Sequence, residues 1–354
     1  MNKLSRVLFP VIILIIPTII ILNSCTKDNN LPGDKCNVFI EDNFHVKLKS
    51  DFGNYAILKP DSTLWTWGIN ITGQLGTGTE ESSNIPLKVP FVEKIIDFDM
   101  YEGMAIAVDC TGNIWFWGSN AFSSIWWPEI LSPVNCSFLS GTKAIGIVGT
   151  TIHMLRNDGT VWQIKIGPDV ESSFYEPEII SSLEQIVSIS QSIALRKDCT
   201  LCELKSKKPE KGGLVHVKDV VAVQNVINRR TVILKNDGTV WAWGQNDFGQ
   251  LGNGSFEHSV IPVKVKNLDN IIQISSNYDF NLALKEDGTV WFWGFICEWD
   301  ENHNPIGINI PERINNLDNV ALIYAGATCL VMKIDGSYWY FNSEDRIPQL
   351  VSFE

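Results

Sequence analysis

One recurring phrase limits the possible folds of this chain more than any other feature of its sequence. An apolar segment is followed by Lys, any residue, Asp-Gly-Thr-Val-Trp, any residue and Trp-Gly, most clearly at residues 234–244 and 285–294. If the first tryptophan of each copy is taken as an anchor, neighbouring anchors lie 39 to 50 residues apart. The anchors are Trp65, Trp115, Trp162, Cys202, Trp241, Trp291 and Trp339. Seven units of this period predict a closed ring or a solenoid of repeats.

Each unit carries four short strand signals. Between the fifth and sixth anchors they fall at residues 261–265, 271–274, 282–285 and 289–293. The Asp-Gly pair between the last two is a strong hairpin signal. Four antiparallel strands per unit are typical of a propeller blade, and no helical period is sustained in the mature chain. We therefore predict an all-β fold, a seven-bladed β-propeller of four-stranded blades, over residues 38–354.

The two ends of the repeat array predict how the ring closes. The chain enters in mid-unit, with strand signals at residues 44–48 and 55–58 before the first anchor. It also leaves in mid-unit, with a strand signal at residues 347–351. We expect these N- and C-terminal strands to share one blade, because shared closure removes the exposed sheet edges that invite aggregation.

The glycine-rich segments after the tryptophan pairs carry a family resemblance. Residues 243–252 read Trp-Gly-Gln-Asn-Asp-Phe-Gly-Gln-Leu-Gly, and residues 67–76 match them closely. These segments resemble the repeat of the regulator of chromosome condensation family, and the likeness extends over residues 38–353. The resemblance implies a seven-bladed propeller that binds other macromolecules through its loop faces.

One departure from the family pattern restricts what the resemblance implies. The family usually has Gly-x-x-His before its second inner strand. Here the corresponding residues are 278–281, Tyr-Asp-Phe-Asn, and 52–55, Phe-Gly-Asn-Tyr, so the histidine is missing. The nucleotide-exchange role of the founding member on a nuclear GTPase is therefore not expected for this chain.

The N-terminus has the pattern of an export signal. A short positive start is followed by an almost wholly apolar run over residues 8–22, which two prolines interrupt and which is short for a bilayer span. Leu22-Asn23-Ser24-Cys25 then resembles a bacterial lipobox, although Asn23 replaces the usual small residue. We predict a lipoprotein signal peptide at 1–24, lipid attachment to Cys25 and a flexible tether at 25–37. The alternative is an uncleaved N-terminal anchor.

The predicted anchor and the charge restrict location and partners. The formal net charge is -12, which argues against nucleic acid, because binding to it requires a basic face. We expect a monomer attached to a membrane through lipidated Cys25 at the cell envelope. Asp does not follow Cys25 directly, which by resemblance favours the outer membrane or cell surface in a Gram-negative host.

The remaining motifs favour structural interpretations. The tryptophans of each pair lie two residues apart on one side of a strand, which predicts packing between blades. Cys199 and Cys202 are spaced like half a zinc site but occupy drifted repeat positions, and the five histidines show no metal spacing. Residues 300–311 open like a calcium loop but lack its glycine and its final glutamate. We predict no metal and no cofactor.

Three tryptophans depart from the repeat and form the candidate binding site. Trp126 and Trp127 replace Gly76-Thr77 of the first repeat, and adjacent residues on a strand cannot both enter one core layer. Trp299 lies among polar residues in segment 295–307, which replaces the glycine-rich turn and is predicted to be a loop. These rings either fill core space or form a ligand surface.

The predicted function is that of a lipid-anchored binding platform for a protein or a glycan at the envelope. The sequence shows no nucleophile elbow, phosphate-binding loop or other catalytic signature. Acid pairs such as Asp97/Asp99 are interpreted as solvated rather than catalytic. A propeller hydrolase or lyase and a structural scaffold in an envelope complex are the alternatives, because a fold does not specify a function.

Overall fold

A computed structural model describes most of the repeat region of the protein. The described residues are 46–51, 53–90, 92–118, 130–136, 141–166, 176–181, 183–190, 193–204, 217–226, 230–299, 301, 305–326 and 328–353. They form 27 β-strands in seven antiparallel sheets. The predicted all-β, seven-bladed propeller is therefore confirmed.

Each sheet is one blade and is built from strands that follow one another in the chain. Blade 1 contains β1 Lys47–Asp51, β2 Asn54–Leu58, β3 Leu64–Gly68 and β4 Ser83–Lys88. Blade 2 contains β5 Ile95–Tyr101, β6 Met104–Asp109, β7 Ile114–Gly118 and β8 Ile130–Asn135. Blade 3 contains β9 Thr142–Val148, β10 Thr151–Arg156, β11 Val161–Lys165 and β12 Glu178–Ile179. The described part of blade 4 contains β13 Ile186–Ser190, β14 Ile193–Arg196 and β15 Leu201–Glu203.

Blades 5 to 7 each contain four strands. Blade 5 contains β16 Val220–Val226, β17 Arg230–Lys235, β18 Val240–Gly244 and β19 Ser259–Lys264. Blade 6 contains β20 Ile271–Ser276, β21 Phe280–Lys285, β22 Val290–Trp299 and β23 Pro305–Arg313. Blade 7 contains β24 Val320–Tyr324, β25 Cys329–Lys333, β26 Tyr338–Phe341 and β27 Gln349–Leu350.

The first strand of each blade lies on the inside of the ring. These first strands contact one another in sequence around the ring, and β24 contacts β1 to close it. Because neighbouring strands run in opposite directions, the connections fall on two faces. The face with the Asp-Gly turns, between the second and third strands, is called the hairpin face. The opposite face, with the turns between the first two strands and the loops between the last two, is called the loop face.

The predicted sharing of one blade between the two chain ends is wrong. Strands β1 and β2 belong to blade 1 together with β3 and β4, whereas β27 pairs with β26 in blade 7. The prediction fails because of the strand with which the proline-led strand of each repeat forms its backbone hydrogen bonds. That strand pairs with the tryptophan strand before it, as Trp241 with Lys264, and so ends a blade instead of beginning one.

The seam between blades 7 and 1 is closed by side chains. A cluster of buried residues joins Leu48 and Ile57 of blade 1 to Leu330 and Tyr338 of blade 7. The Ser50 hydroxyl donates to the backbone oxygen of Thr328 at 2.7 Å, and the hydroxyls of Tyr55 and Thr328 are 3.0 Å apart. Hydrophobic burial and a few polar contacts therefore complete the ring.

The core lies between blades. One cluster combines buried residues of blades 4, 5 and 6, among them Leu195, Val232 and Trp293. Every residue of β6 is buried, because each middle strand packs against a neighbouring blade on both faces. The sequence of a middle strand is therefore a continuous apolar run and not an alternation of apolar and polar residues.

Candidate interaction face

The three predicted binding tryptophans are not brought together among the described residues. Trp126 and Trp127 lie outside those residues, as does the predicted lipid site Cys25. Trp299 is the last residue of β22, where its backbone pairs with Pro305. The prediction of a loop at residues 295–299 is therefore wrong, because β22 and β23 extend into a long hairpin.

The Asp-Gly-Thr-Val-Trp phrase builds the hairpin face through one repeated set of hydrogen bonds. In blade 5, Asp237 Oδ1 accepts from the backbone N–H of Thr239 at 3.0 Å and from its hydroxyl at 2.6 Å. The Thr239 Oγ1 accepts in turn from Trp241 Nε1 at 3.1 Å, and Lys235 Nζ lies 4.9 Å from the centre of that ring. The first tryptophan of each pair therefore belongs to a turn motif.

The second tryptophan of a pair connects two blades. Trp293 of blade 6 is fully buried and donates from Nε1 to the backbone oxygen of Gln250 in blade 5 at 2.9 Å. Trp117 of blade 2 donates to Gln74 of blade 1 in the same way at 3.0 Å. The predicted packing of these tryptophans between blades is confirmed.

The glycine-rich loops are rigid because their polar residues are internally satisfied. Asn246 is fully buried, and its Nδ2 donates to the backbone oxygens of Ser255 and Glu257. Its Oδ1 accepts from the backbone N–H of Leu251 at 2.7 Å. Asn70 makes the equivalent bonds in blade 1. These two loops therefore present their exposed residues on a fixed scaffold.

A buried arginine links blade 5 to blade 6 near the loop face. The Arg230 guanidinium donates to the backbone oxygens of Asn277, Tyr278 and Phe280, and to Asn281 Oδ1. Asn281, where the family usually has histidine, donates from Nδ2 to the backbone oxygen of Gln250 at 2.9 Å. An amide thus provides an inter-blade bond at this position. Arg230 was not identified from the sequence, since it lies about 50 residues from its acceptors.

Two ion pairs between inner strands connect blade 1 to blade 2. Lys47 lies 2.5 Å from Asp97, and Lys49 pairs with Asp99. The second oxygens of the two aspartates accept backbone N–H groups of Ile145 and Ile147 in blade 3. The two aspartates are buried, so the prediction that they are solvated is wrong.

The electrostatics of these pairs follow from their burial. Burial alone would raise the pKa of Asp99, but Lys49 and Lys47 hold it below its usual value. Burial would likewise lower the pKa of Lys49, yet Asp99 raises it above its usual value. Both groups therefore stay charged, and the pairs serve as inter-blade connections.

Asp51, at the loop-face end of β1, has a different environment. Its carboxylate accepts the backbone N–H of Glu102 in blade 2. Burial raises the pKa of Asp51 to about 6, although this hydrogen bond and Lys49 oppose the shift, while Asp99 and Glu102 add to it. This carboxyl therefore loses its proton at a higher pH than an exposed aspartate does.

The described loop face is acidic and carries exposed apolar side chains. Its turns and loops contain ten carboxylates and one basic residue of the lysine and arginine type, Arg346. The carboxylates are Glu80, Glu81, Glu102, Glu176, Asp247, Glu257, Asp279, Glu301, Glu344 and Asp345. Ile71 is 65% exposed, and Phe256 and Tyr278 are nearly half exposed. Acidic residues around isolated apolar ones are suited to a partner with basic and apolar side chains.

The described residues contain no group of His, Cys, Asp or Glu arranged to hold a metal ion. Cys199 is disulfide-bonded and Cys202 is a free thiol, so they do not act as a pair of ligands. Within the same residues, no helix is long and apolar enough to cross a membrane.

The seven sheets and their inter-blade connections define a seven-bladed β-propeller. Residues 61–99 and 237–284 match the family described as regulator of chromosome condensation (RCC1) repeat. The chain is therefore a seven-bladed propeller in which two segments match the RCC1 repeat.

Two relatives and one solved structure illustrate what this chain is similar to. The human E3 ubiquitin-protein ligase HERC2 is 23% identical over 335 residues, which cover 80% of this chain and 7% of HERC2. The mitochondrial RCC1 domain-containing protein RUG3 of Arabidopsis thaliana is 25% identical and covers 80% of this chain, which spans 62% of RUG3. The crystal structure of Kap60 bound to yeast RCC1 (Prp20) contains a similar chain. The TM-score is 0.68 at 15% identity, over 88% of this chain and 85% of that one, which shows the shared fold.

Proposed function

We propose that this protein is an exported, lipid-anchored binding platform at the cell envelope. It captures its partner on the loop face and has no catalytic role. The observation that carries the proposal is the combination of ten loop-face carboxylates with exposed Ile71, Phe256 and Tyr278 on rigid loops. A protein with basic and apolar side chains fits this surface better than a neutral glycan does, because complementary charge accelerates encounter and apolar contact stabilises the complex.

A solved structure of similar fold adds support for a binding role. One similar solved propeller is yeast RCC1 (Prp20) in a structure with Kap60 bound, so that propeller binds a protein. The rigid Asn70 and Asn246 loops supply the preorganisation that reduces the entropy cost of binding.

Cross-linking from two exposed isoleucines tests the loop face. A photo-reactive residue replaces Ile71 on the loop face or, as the matched control, Ile334 on the hairpin face, which is 56% exposed. In intact cells we expect a discrete cross-linked partner from position 71 and none from position 334. The product should disappear when Glu80 and Glu81 are both changed to Lys. Equal labelling from both positions, or a product that survives the charge reversal, contradicts the proposal.

The proposed location rests on the N-terminal sequence and is tested separately. A disulfide at Cys199 supports an oxidising, extracytoplasmic environment. Labelled fatty acid should be incorporated into the natural chain and not into a Cys25→Ala variant, which should also keep its unprocessed gel mobility. Incorporation that persists in the variant rules out Cys25 as the lipid site.

A further inference from the structure

A cleft on the outer side of the ring separates blade 6 from blade 7. Its volume is about 300 Å³. One wall is the end of β23 and the residues after it, including Glu312 and Asn315, and the other is the segment before β27, including Arg346. Phe292 and Ile314 lie at its base. This volume is at the small end of ligand pockets and suits a molecule the size of one amino acid.

Arg346 lines this cleft and is partly buried. The guanidinium carbon lies 5.4 Å from the centre of the Phe292 ring. Its Nη1 is shielded from solvent and has no hydrogen-bond partner among the described residues. Because Arg346 is partly buried, a carboxylate that reaches the rest of its guanidinium interacts with it more strongly than with a fully exposed arginine.

The backbone at Arg346 has an unusual conformation. Its φ is 53°, in the left-handed region that a residue with a β-carbon rarely adopts. Asp345 next to it accepts the backbone N–H of Ile347 through Oδ1 at 3.1 Å. The neighbouring Arg313 is occupied by an ion pair with Asp318. Arg346 is therefore the cation of the cleft that is available to an anion.

The cleft also contains acceptors for a cation. Glu312 and Asp345 line it, and neither forms an ion pair with Arg346 in the described part of the chain. A simple anion would be repelled by these carboxylates, whereas a ligand with a carboxylate and an ammonium satisfies both sets of charges. Exposed Ile347 supplies apolar contact beside them.

We propose that the cleft between blades 6 and 7 binds a free α-amino acid with an apolar side chain. Arg346 binds the carboxylate by paired hydrogen bonds, Glu312 and Asp345 bind the ammonium, and Ile347 contacts the side chain.

Three related probes test this assignment on the purified full chain by ligand-observed saturation-transfer NMR. They are leucine, 4-methylpentanoate, which lacks the ammonium, and 3-methylbutylamine, which lacks the carboxylate. We expect leucine to bind at least tenfold more tightly than either analogue. Equal binding of 4-methylpentanoate overturns the proposal in favour of a plain anion site, and absence of leucine binding overturns it entirely.

Variants of the cleft give a second, independent test. Arg346→Gln should weaken leucine binding at least tenfold, whereas Arg196→Gln in blade 4, which lies outside the cleft, should leave it unchanged. Glu312→Gln should weaken leucine binding without weakening the binding of 4-methylpentanoate. Circular dichroism shows that each variant is folded before titration. Unchanged leucine binding by folded Arg346→Gln or Glu312→Gln contradicts the assignment.

The cleft and the proposed loop-face site share Asp345, but their tests are separate. Cross-linking from position 71 does not report on the cleft, and leucine titration does not report on the loop face. Either proposal can therefore fail while the other stands.

Discussion

Gly252 lies directly beneath the indole of Trp293, so that a β-carbon on residue 252 would come within 2.9 Å of the ring. Gly252 is in blade 5 and Trp293 in blade 6, and the contact supports the hydrogen bond from the indole to Gln250. The last glycine of the repeat is therefore a packing requirement of the neighbouring blade.

Gly252→Ala should destabilise the protein by about 2–4 kcal/mol, because it adds a steric clash to the cost of a left-handed residue. Gly149 is the matched control, since its φ of 57° resembles the 62° of Gly252 and its added β-carbon meets nothing within 4 Å. Gly149→Ala should cost only about 1 kcal/mol. Thermal unfolding of both variants checks the difference, and equal losses would show that the contact is unimportant.

The environment of Asp51 predicts a pH dependence of stability. Its folded-state pKa of about 6 lies above its ordinary value of 3.8, so the unfolded chain releases this proton first as pH rises. On account of this group, the free energy of unfolding falls between about pH 4 and pH 6 and stays low above that range. Asp51→Asn should remove the fall and stabilise the protein at pH 7 by about 1–2 kcal/mol.

Denaturant unfolding at pH 4.5 and pH 7.5 measures the effect of Asp51→Asn. Glu80→Gln is the control, since it removes an exposed carboxylate from the same face and should change little at either pH. Similar responses of the two variants would mean that Asp51 has no special role.

The inter-blade role of Arg230 predicts a large loss of stability on its removal. Arg230→Met removes four hydrogen bonds from the guanidinium, although the Phe280 backbone oxygen and Asn281 Oδ1 keep bonds from the Asn277 N–H and the Ser276 hydroxyl. The loss should cost about 3 kcal/mol. Arg230→Lys keeps the charge but lacks the planar set of donors, so it should recover only part of the loss. Full recovery by lysine would show that charge alone matters. Thermal unfolding supplies the measurement.

The contacts of the C-terminal segment allow the seam between blades 7 and 1 to be tested. Phe353 packs edge-on against Trp65 of blade 1 at 5.7 Å, and Lys59 Nζ lies 3.7 Å from the centre of its ring. Phe353→Ala should therefore lower stability by about 2 kcal/mol. Leu350→Ala, which removes a side chain that is 56% exposed, should change stability by less than about 0.5 kcal/mol. Comparable melting temperatures for the two variants would contradict the role of Phe353 at the seam.

The number of blades could be predicted from the sequence because residues close together in the chain determine the turn and the strand of each repeat. The Asp237-Gly238 turn and the following tryptophan strand need only near neighbours, so their spacing reveals one blade after another. The boundary between blades could not be predicted in this way. It depends on whether the strand after Trp241 pairs backwards or forwards, and that choice is made by packing across the ring.

The candidate site was less accessible to sequence analysis. The ion pairs of Lys47 and Lys49 join residues 50 apart, and neither partner belongs to the repeated phrase. Alternating lysines in one inner strand and alternating aspartates in the next were the available signal. A loop is the prediction for Trp299 because segment 295–307 replaces the glycine-rich turn of other repeats, although strand extension satisfies the same backbone groups.

Side-chain closure at the seam has an evolutionary consequence. Each four-stranded blade from blade 1 to blade 3 and from blade 5 to blade 7 is encoded by one uninterrupted stretch of chain. Duplicating or deleting such a stretch would add or remove a whole blade without dividing a hydrogen-bonded sheet between distant parts of the gene. Only the side chains at the new junction between blades would need to adapt. The contact of Trp293 with Gly252 has an equivalent at another junction, where Trp117 packs against Gly76.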